Sequence, residues 1–182
     1  MSSDRGRTPR PTEWEGSPSH SVVLILGLGN PLRRDDGIGP RVIEELQSRS
    51  LPDEITALDG GTGGLDILRM MEGWENVIIV DAANVDAGRG AVGPGEFVRF
   101  TPGQVRLAES DDTLSLHHAG LAEVLRLAEA LDHPLPSIIV FGVQPGDVGW
   151  GEGLSASVEG GLPTLVKAVR AEAEKAVRDP LS

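Results

Sequence analysis

The stretch Val22-Val23-Leu24-Ile25-Leu26-Gly27-Leu28-Gly29-Asn30-Pro31-Leu32-Arg33-Arg34-Asp35-Asp36-Gly37-Ile38-Gly39 decides the fold. The apolar run Val22–Leu26 reads as a buried strand. A glycine-rich turn follows it, and a pair of aspartates then opens a helix marked by Ile38, Val42, Ile43 and Leu46, with Pro40 tolerated in its first turn. A strand, a tight turn and a helix in that order deliver carboxylates to the carboxyl edge of a parallel sheet, where open α/β folds place their chemistry.

The glycines suggest a nucleotide loop, but the details exclude it. A dinucleotide fingerprint needs a third glycine three residues after the second, for close packing of helix and strand. Leu32 stands there, preceded by Pro31, and no Gly-Lys-Ser/Thr follows to make a phosphate loop. Asp35 and Asp36 would repel phosphate where backbone amides should receive it, whereas a cation would be welcome. The alternative for either aspartate is a helix N-cap, a position that favours Asp.

Working outward, strands and helices alternate. Ile55–Leu58 is a second strand, ending in Asp59-Gly60-Gly61-Thr62-Gly63-Gly64, after which Leu65, Leu68 and Met71 mark a short helix. Val77–Val80 is a continuous apolar run, typical of a strand buried on both faces, and stops at Asp81. A glycine-rich stretch from Gly88 to Gly95 leads into Glu96–Phe100, whose alternation suggests an antiparallel edge strand. Leu121, Val124, Leu125, Ala128 and Leu131 define a helix that Ser115 is placed to cap, and Ile138–Val143 is the last strand. The final helix runs from about Leu162 to Val177, with a stripe of Leu162, Leu165, Val166, Val169, Ala173 and Val177. This pattern predicts an α/β fold: a single three-layer α/β/α domain over residues 21–182, with a mostly parallel sheet. Residues 1–20, polar and rich in Pro, Ser, Gly, Arg and Glu, read as a flexible amino-terminal extension.

The 182 residues suffice for one domain with a substantial core. With 28 acidic against 16 basic residues, the net charge of −12 argues against nucleic acid as a partner. The chain has no cysteine, which excludes thiolate metal sites, disulfides and a cysteine nucleophile. Neither a signal peptide nor a membrane-length apolar run is present, so a soluble cytoplasmic protein is expected. No exposed apolar stripe points to an oligomeric state.

Asp36, Asp59 and Asp81 each follow an apolar strand, so the topology should gather three carboxylates from distant positions at one sheet edge. For Asp59 the Asp-Gly-Gly sequence is also ordinary turn chemistry. For Asp81 a purely structural role is harder to sustain, because a carboxylate directly after four branched residues is costly to bury without a cation or donors. His117 and His118 sit near the start of a helix whose positive end favours neutral, ligating imidazole, and periodicity does not choose between them. His20 and His133 have no assigned role. Two carboxylates and one imidazole suit a divalent transition ion such as nickel or zinc, and three protein ligands leave a coordination position open. The competing reading is an unrelated small-molecule pocket.

These residues resemble a known family. Gly27-Leu28-Gly29-Asn30-Pro31-Leu32-Arg33-Arg34-Asp35-Asp36-Gly37-Ile38-Gly39 is similar to the amino-terminal signature of the nickel–iron hydrogenase maturation proteases. The similarity continues through Leu58-Asp59-Gly60-Gly61-Thr62, Ile78-Ile79-Val80-Asp81-Ala82, Ser115-Leu116-His117-His118-Ala119-Gly120-Leu121 and Phe141-Gly142-Val143-Gln144-Pro145 to Leu154-Ser155. It covers about residues 22 to 170 in the expected order.

The resemblance implies a twisted, mostly parallel sheet of about five strands between helices. It also implies an endopeptidase that removes a carboxyl-terminal extension from the nickel-loaded precursor of a hydrogenase large subunit. Carried over position by position, the metal-binding residues are Asp36, Asp81 and His117, the histidine being chosen by the Ser-x-His-x-x-Gly-Leu spacing. Asp36 and Asp81 are then the catalytic carboxylates, and Asp59, Gly60 and Thr62 fall in the segment used for substrate selection. Some relatives carry Glu where this chain has the shorter Asp36. Nickel is expected to arrive with the substrate rather than as a resident ion, a motive supplied by the open three-ligand set. The rival reading from another class is a non-catalytic doubly wound protein that binds a metal or metabolite, or a peptidase of the same fold with another substrate.

Overall fold

The apolar runs become the strands of one sheet. In the computed structural model, which describes residues 22–84, 92–106 and 119–179, β1 (Val23–Gly27) lies between two parallel neighbours, β2 (Ile55–Asp59) and β3 (Asn76–Ala82). β5 (Ser137–Val143) continues the parallel set beyond β3, and β4 (Phe97–Phe100) closes the far edge antiparallel to it. The order β2-β1-β3-β5-β4 is the mostly parallel five-stranded sheet with one antiparallel edge strand that the sequence predicts.

Every residue of β1 and β3 is buried, which is why neither shows polar alternation. Their side chains point alternately to two cores. Val23 and Ile25 face α1 (Ile38–Gln47) and α5 (Ala156–Arg178), through Val42, Leu46, Leu165 and Val169. Leu24 and Leu26 face α2 (Asp66–Met71) and α4 (Ala119–Ala130), through Ile67, Met71, Leu121 and Val124. Helix, sheet and helix make the three layers. A short α3 (Pro102–Arg106), not anticipated from the pattern, follows β4.

Three details differ from the sequence expectation. The strand carrying Asp81 does not stop there: it extends to Ala82, and Asp81 pairs with Gly142 inside the sheet. In α2 the buried residues are Ile67 and Met71, four apart, while Leu65 is 61 % exposed. The last helix begins at Ala156, well before Leu162, and includes Pro163. Gly161 suits that early start, since a Cβ there would lie 2.3 Å from the Gly95 carbonyl oxygen.

The connections set the site. The chain leaves β1 through α1 on one face and returns to β2, then crosses by α2 on the other face to β3. The carboxyl ends of β1 and β3 therefore flank a topological switch point, the crevice where open α/β sheets bind ligands. At the other edge, Arg99 on β4 forks onto Glu172 of α5, with Nε and Nη2 each 2.9 Å from a carboxylate oxygen. No helix among the described residues is long and apolar enough to cross a membrane.

Candidate active site

The turn after β1 is folded back onto the sheet by backbone contacts that exclude side chains. The Leu28 N–H donates to the Val80 carbonyl at 2.8 Å, extending the β1–β3 pairing by one residue to the level of Asp81. Gly39, in the first turn of α1, sits directly over that pairing: a Cβ on it would be 2.1 Å from the Leu28 oxygen and 2.7 Å from the Val80 oxygen. Gly29 has φ +129° and lies against the Asp36 backbone, 1.8 Å from its carbonyl oxygen to a notional Cβ. The glycines that look like a phosphate loop thus serve helix-to-sheet contact.

Two aspartates result at one end of the sheet, both 1 % exposed, one in the turn after β1 and one in the adjoining strand β3. Asp36 belongs to the 3-10 turn Arg34–Gly37, which packs against β3, and its Oδ2 accepts the Asn30 N–H at 3.0 Å. Asp81 lines a small, partly open cleft with Leu28, Gly29, Thr62, Gly63, Ile67 and Leu121. Gly29 joins the two, touching the Asp36 backbone on one side and the Asp81 cleft on the other. Neither Asp35 nor Asp36 caps α1; the cap position is Gly37, with no side-chain cap bond.

Asp35, also 1 % exposed, is occupied differently. Its Oδ2 accepts the N–H groups of Gly146 and Asp147 and the Ser155 hydroxyl, each at 2.8 Å, and its Oδ1 accepts the Ser155 N–H at 2.6 Å. Burial pushes its carboxyl up, but the bonds from Ser155, Asp147 and Gly146 outweigh this and hold it below the ordinary carboxylate value. Around it the turn and the loop after β5 pair through Arg34 N–H to Gly151 O and Gly151 N–H to Leu32 O, both 2.9 Å. Arg33 donates to the Val148 carbonyl and lies 5.7 Å from the centre of the Trp150 ring, which is 77 % exposed. The resemblance already takes in Gln144-Pro145 and Leu154-Ser155 at the ends of this loop, but only the Asp35-to-Ser155 pairing in space shows what the loop holds.

Asp59 closes β2 at the same sheet end, level with Gly27, but its side chain is exposed and its Oδ1 accepts the Gly61 N–H at 2.8 Å. It does not join the buried pair. Its loop is zipped to the glycine turn by Gly60 N–H to Gly27 O and Gly29 N–H to Gly61 O, both 2.8 Å, which brings Thr62 to the cleft. His117, His118 and Ser115 lie outside the described residues. Among the described residues no three His, Asp or Glu side chains group to hold a metal ion.

The family model for hydrogenase maturation proteases matches residues 40–172. The chain belongs to the hydrogenase maturation protease family. Similar relatives include the hydrogenase expression/formation protein HupD of Rhizobium leguminosarum bv. viciae, 32% identical over 162 residues, which are 84% of this chain and 74% of that one. The hydrogenase 2 maturation protease of Escherichia coli K12 is 33% identical over 157 residues, 85% of this chain and 93% of the relative. Among solved structures, the hydrogenase maturating endopeptidase HybD from E. coli superposes with a TM-score of 0.69 at 32% identity, over 85% of this chain and 93% of that one. The [NiFe] hydrogenase maturation protease HybD from Thermococcus kodakarensis gives 0.67 at 27% identity, over 83% and 98%. This maturation protease is accordingly a hydrolase of the endopeptidase class.

Proposed function

We propose that this maturation protease removes a carboxyl-terminal extension from the nickel-loaded precursor of a hydrogenase large subunit, in the cytoplasm. The observation that carries the reading is that two buried carboxylates, Asp36 in the turn after β1 and Asp81 in β3, lie at the switch-point end of the sheet. Peptide hydrolysis needs a group that takes a proton from water and returns it to the leaving amine, and a carboxylate at the scissile bond can do both. Water oxygen adds to the carbonyl carbon as one of its protons passes to the carboxylate. The C–N bond then breaks, that proton moves to the departing nitrogen, and the other stays with the new carboxyl group.

Asp36, Asp81 and His117 would hold the nickel that the precursor's own cysteines bring, so that only a correctly loaded substrate docks. Two carboxylates with one imidazole are a suitable donor set for such a divalent ion, and this chain's lack of cysteine leaves thiolate ligation to the partner. Asp59, Gly60 and Thr62, on the loop beside the cleft, are placed to read the substrate surface around the tail.

The test is incubation of purified protein with nickel-loaded precursor, reading carboxyl-terminal mass loss by mass spectrometry. Asp36→Ala, Asp81→Ala and His117→Ala should each abolish cleavage, and His118→Ala should not. Efficient cutting of nickel-free precursor would defeat the recognition step. Full cutting by the Asp36 or Asp81 variant would defeat the assignment of that residue.

A further inference from the structure

We propose that Asp35 is a positioning residue for the proteolytic reaction: it locks the loop at residues 146–155 onto the turn that carries Asp36, and so fixes where the Asp36 carboxylate stands. The proposal rests on the role given to Asp36 above.

Asp35 cannot itself serve as base or ligand. A carboxylate offers about four acceptor sites, and Asp35 has four donors on it: the Gly146, Asp147 and Ser155 N–H groups and the Ser155 hydroxyl. All four come from residues at least 111 positions away in sequence. The Asp35 N–H adds a fifth tie, donating to the Asp147 carbonyl at 3.0 Å. Ser155 stands at the N-cap of α5, yet its side chain makes no bond to that helix and is turned to Asp35 instead. The clamp therefore draws a helix-capping group away from its ordinary use.

What the clamp controls is the turn. Asp36 follows Asp35 directly, and its N–H is bonded to the Arg33 carbonyl at 3.0 Å, so any shift of the Asp35 peptide passes straight to Asp36. On the far side Gly29 packs against the Asp36 backbone, so closely that a Cβ there would lie 1.8 Å from the Asp36 carbonyl oxygen. Held between Gly29 and the clamp, Asp36 has one place to be. The clamp also specifies a carboxylate. An amide at position 35 would turn an NH2 group toward converging donors, leaving at least one buried donor unmatched.

The experiment measures cleavage of nickel-loaded precursor by the full chain, resolving kcat and KM, with circular dichroism to establish the folded range. Asp35→Asn is expected to lower kcat about 100-fold, the scale of an ångström's misplacement of a reacting group. Ser155→Ala should lower it about tenfold, with KM unchanged in both, and Ser155→Thr, which keeps the hydroxyl, should restore it. If Asp35→Asn does not fold, the Ser155 pair carries the test. Unchanged kcat in folded variants, or a raised KM with kcat intact, would overturn the proposal. Asp36→Ala, run alongside, separates the two levels: if it still cuts, the role of Asp36 fails, whereas if it is dead while the clamp variants match the parent, positioning alone fails.

Discussion

Gly29→Ala tests most directly whether the turn's backbone geometry governs function. Gly29 has φ +129°, a conformation an L side chain rarely adopts, and forcing alanine into it costs about 1–3 kcal/mol. The added Cβ would lie 1.8 Å from the Asp36 carbonyl oxygen. Ordinary contact begins at 3.4 Å, so the Asp36 backbone must withdraw by about 1.6 Å, the difference between the two. Because the atom met is backbone, no rotamer change relieves the clash, and overpacking adds about 1–3 kcal/mol. The expected loss is about 2–6 kcal/mol, a sizeable part of a domain's stability of about 5–15 kcal/mol.

Urea titration should show a lowered midpoint: with a slope of about 1–3 kcal/mol per molar, a loss of 3 kcal/mol moves it by about 1–3 M. Under conditions where the variant is still folded, precursor cleavage should fall at least about 100-fold, since the withdrawal exceeds an ångström. Gly73→Ala is the control. It also has positive φ, +83°, but nothing lies within 4 Å of its Cβ position and it stands outside the site, so it should lose only about 1–2 kcal/mol and cleave near the parent rate. An unchanged midpoint for Gly29→Ala would refute the packing. Destabilisation with parental cleavage by the folded fraction would refute the link from turn to chemistry.

Other perturbations address the layers and the edge. Ile67 is fully buried whereas Leu65 is 61 % exposed, so Ile67→Ala should cost about 2–5 kcal/mol and Leu65→Ala less than about 0.5 in denaturant titration; the reverse ranking would mean α2 presents its other face. The hydrogen bond from Arg99 to Glu172 holds the Glu172 carboxyl below its ordinary value of 4.5, with burial opposing it and the Arg99 charge adding to it. Its folded pKa lies below the unfolded one, so the tie's stabilisation is present above about pH 4.5 and fades as pH falls through the folded value. Arg99 is partly exposed, which limits the effect to about 1 kcal/mol. Glu172→Gln should lose that amount at pH 7 and flatten the acid limb of a stability–pH curve, and identical curves would remove the pair from the account. Trp150→Ala, by contrast, should leave the urea midpoint within about 0.5 kcal/mol of the parent, because the ring is mostly in solvent.

The strands were legible because burial on both faces writes itself as consecutive branched residues, as in Val77–Val80, and the edge strand because Glu96–Phe100 alternates. Strand order was not, since it depends on which face each crossover takes. Helix starts failed where tertiary contact overrode local preference. Gly160, Gly161 and Pro163 argue against a helix before Leu162, yet α5 runs through them, and Gly161 lies where only a hydrogen fits against Gly95. In α2 Met71 is buried and Leu68 packs partly buried on the same core, as expected, but Leu65 is exposed and Ile67, one turn before Met71, supplies the other buried contact.

The neighbouring aspartates show why a site is harder to read than a core. Asp35 and Asp36 are adjacent, equally buried and equally suited to cap a helix, and local sequence offers nothing to rank them. Long-range hydrogen bonding divides them. Asp35 has its acceptor sites filled by donors from the loop after β5, and that commitment makes it structural. Asp36, next in the chain, lies in the turn that packs on β3 and accepts the Asn30 N–H, at the sheet end where β3 carries Asp81. Under the proposed function the Asp-Asp pair divides its labour: Asp35 ties the turn to the loop after β5, and Asp36 beside it serves the chemistry.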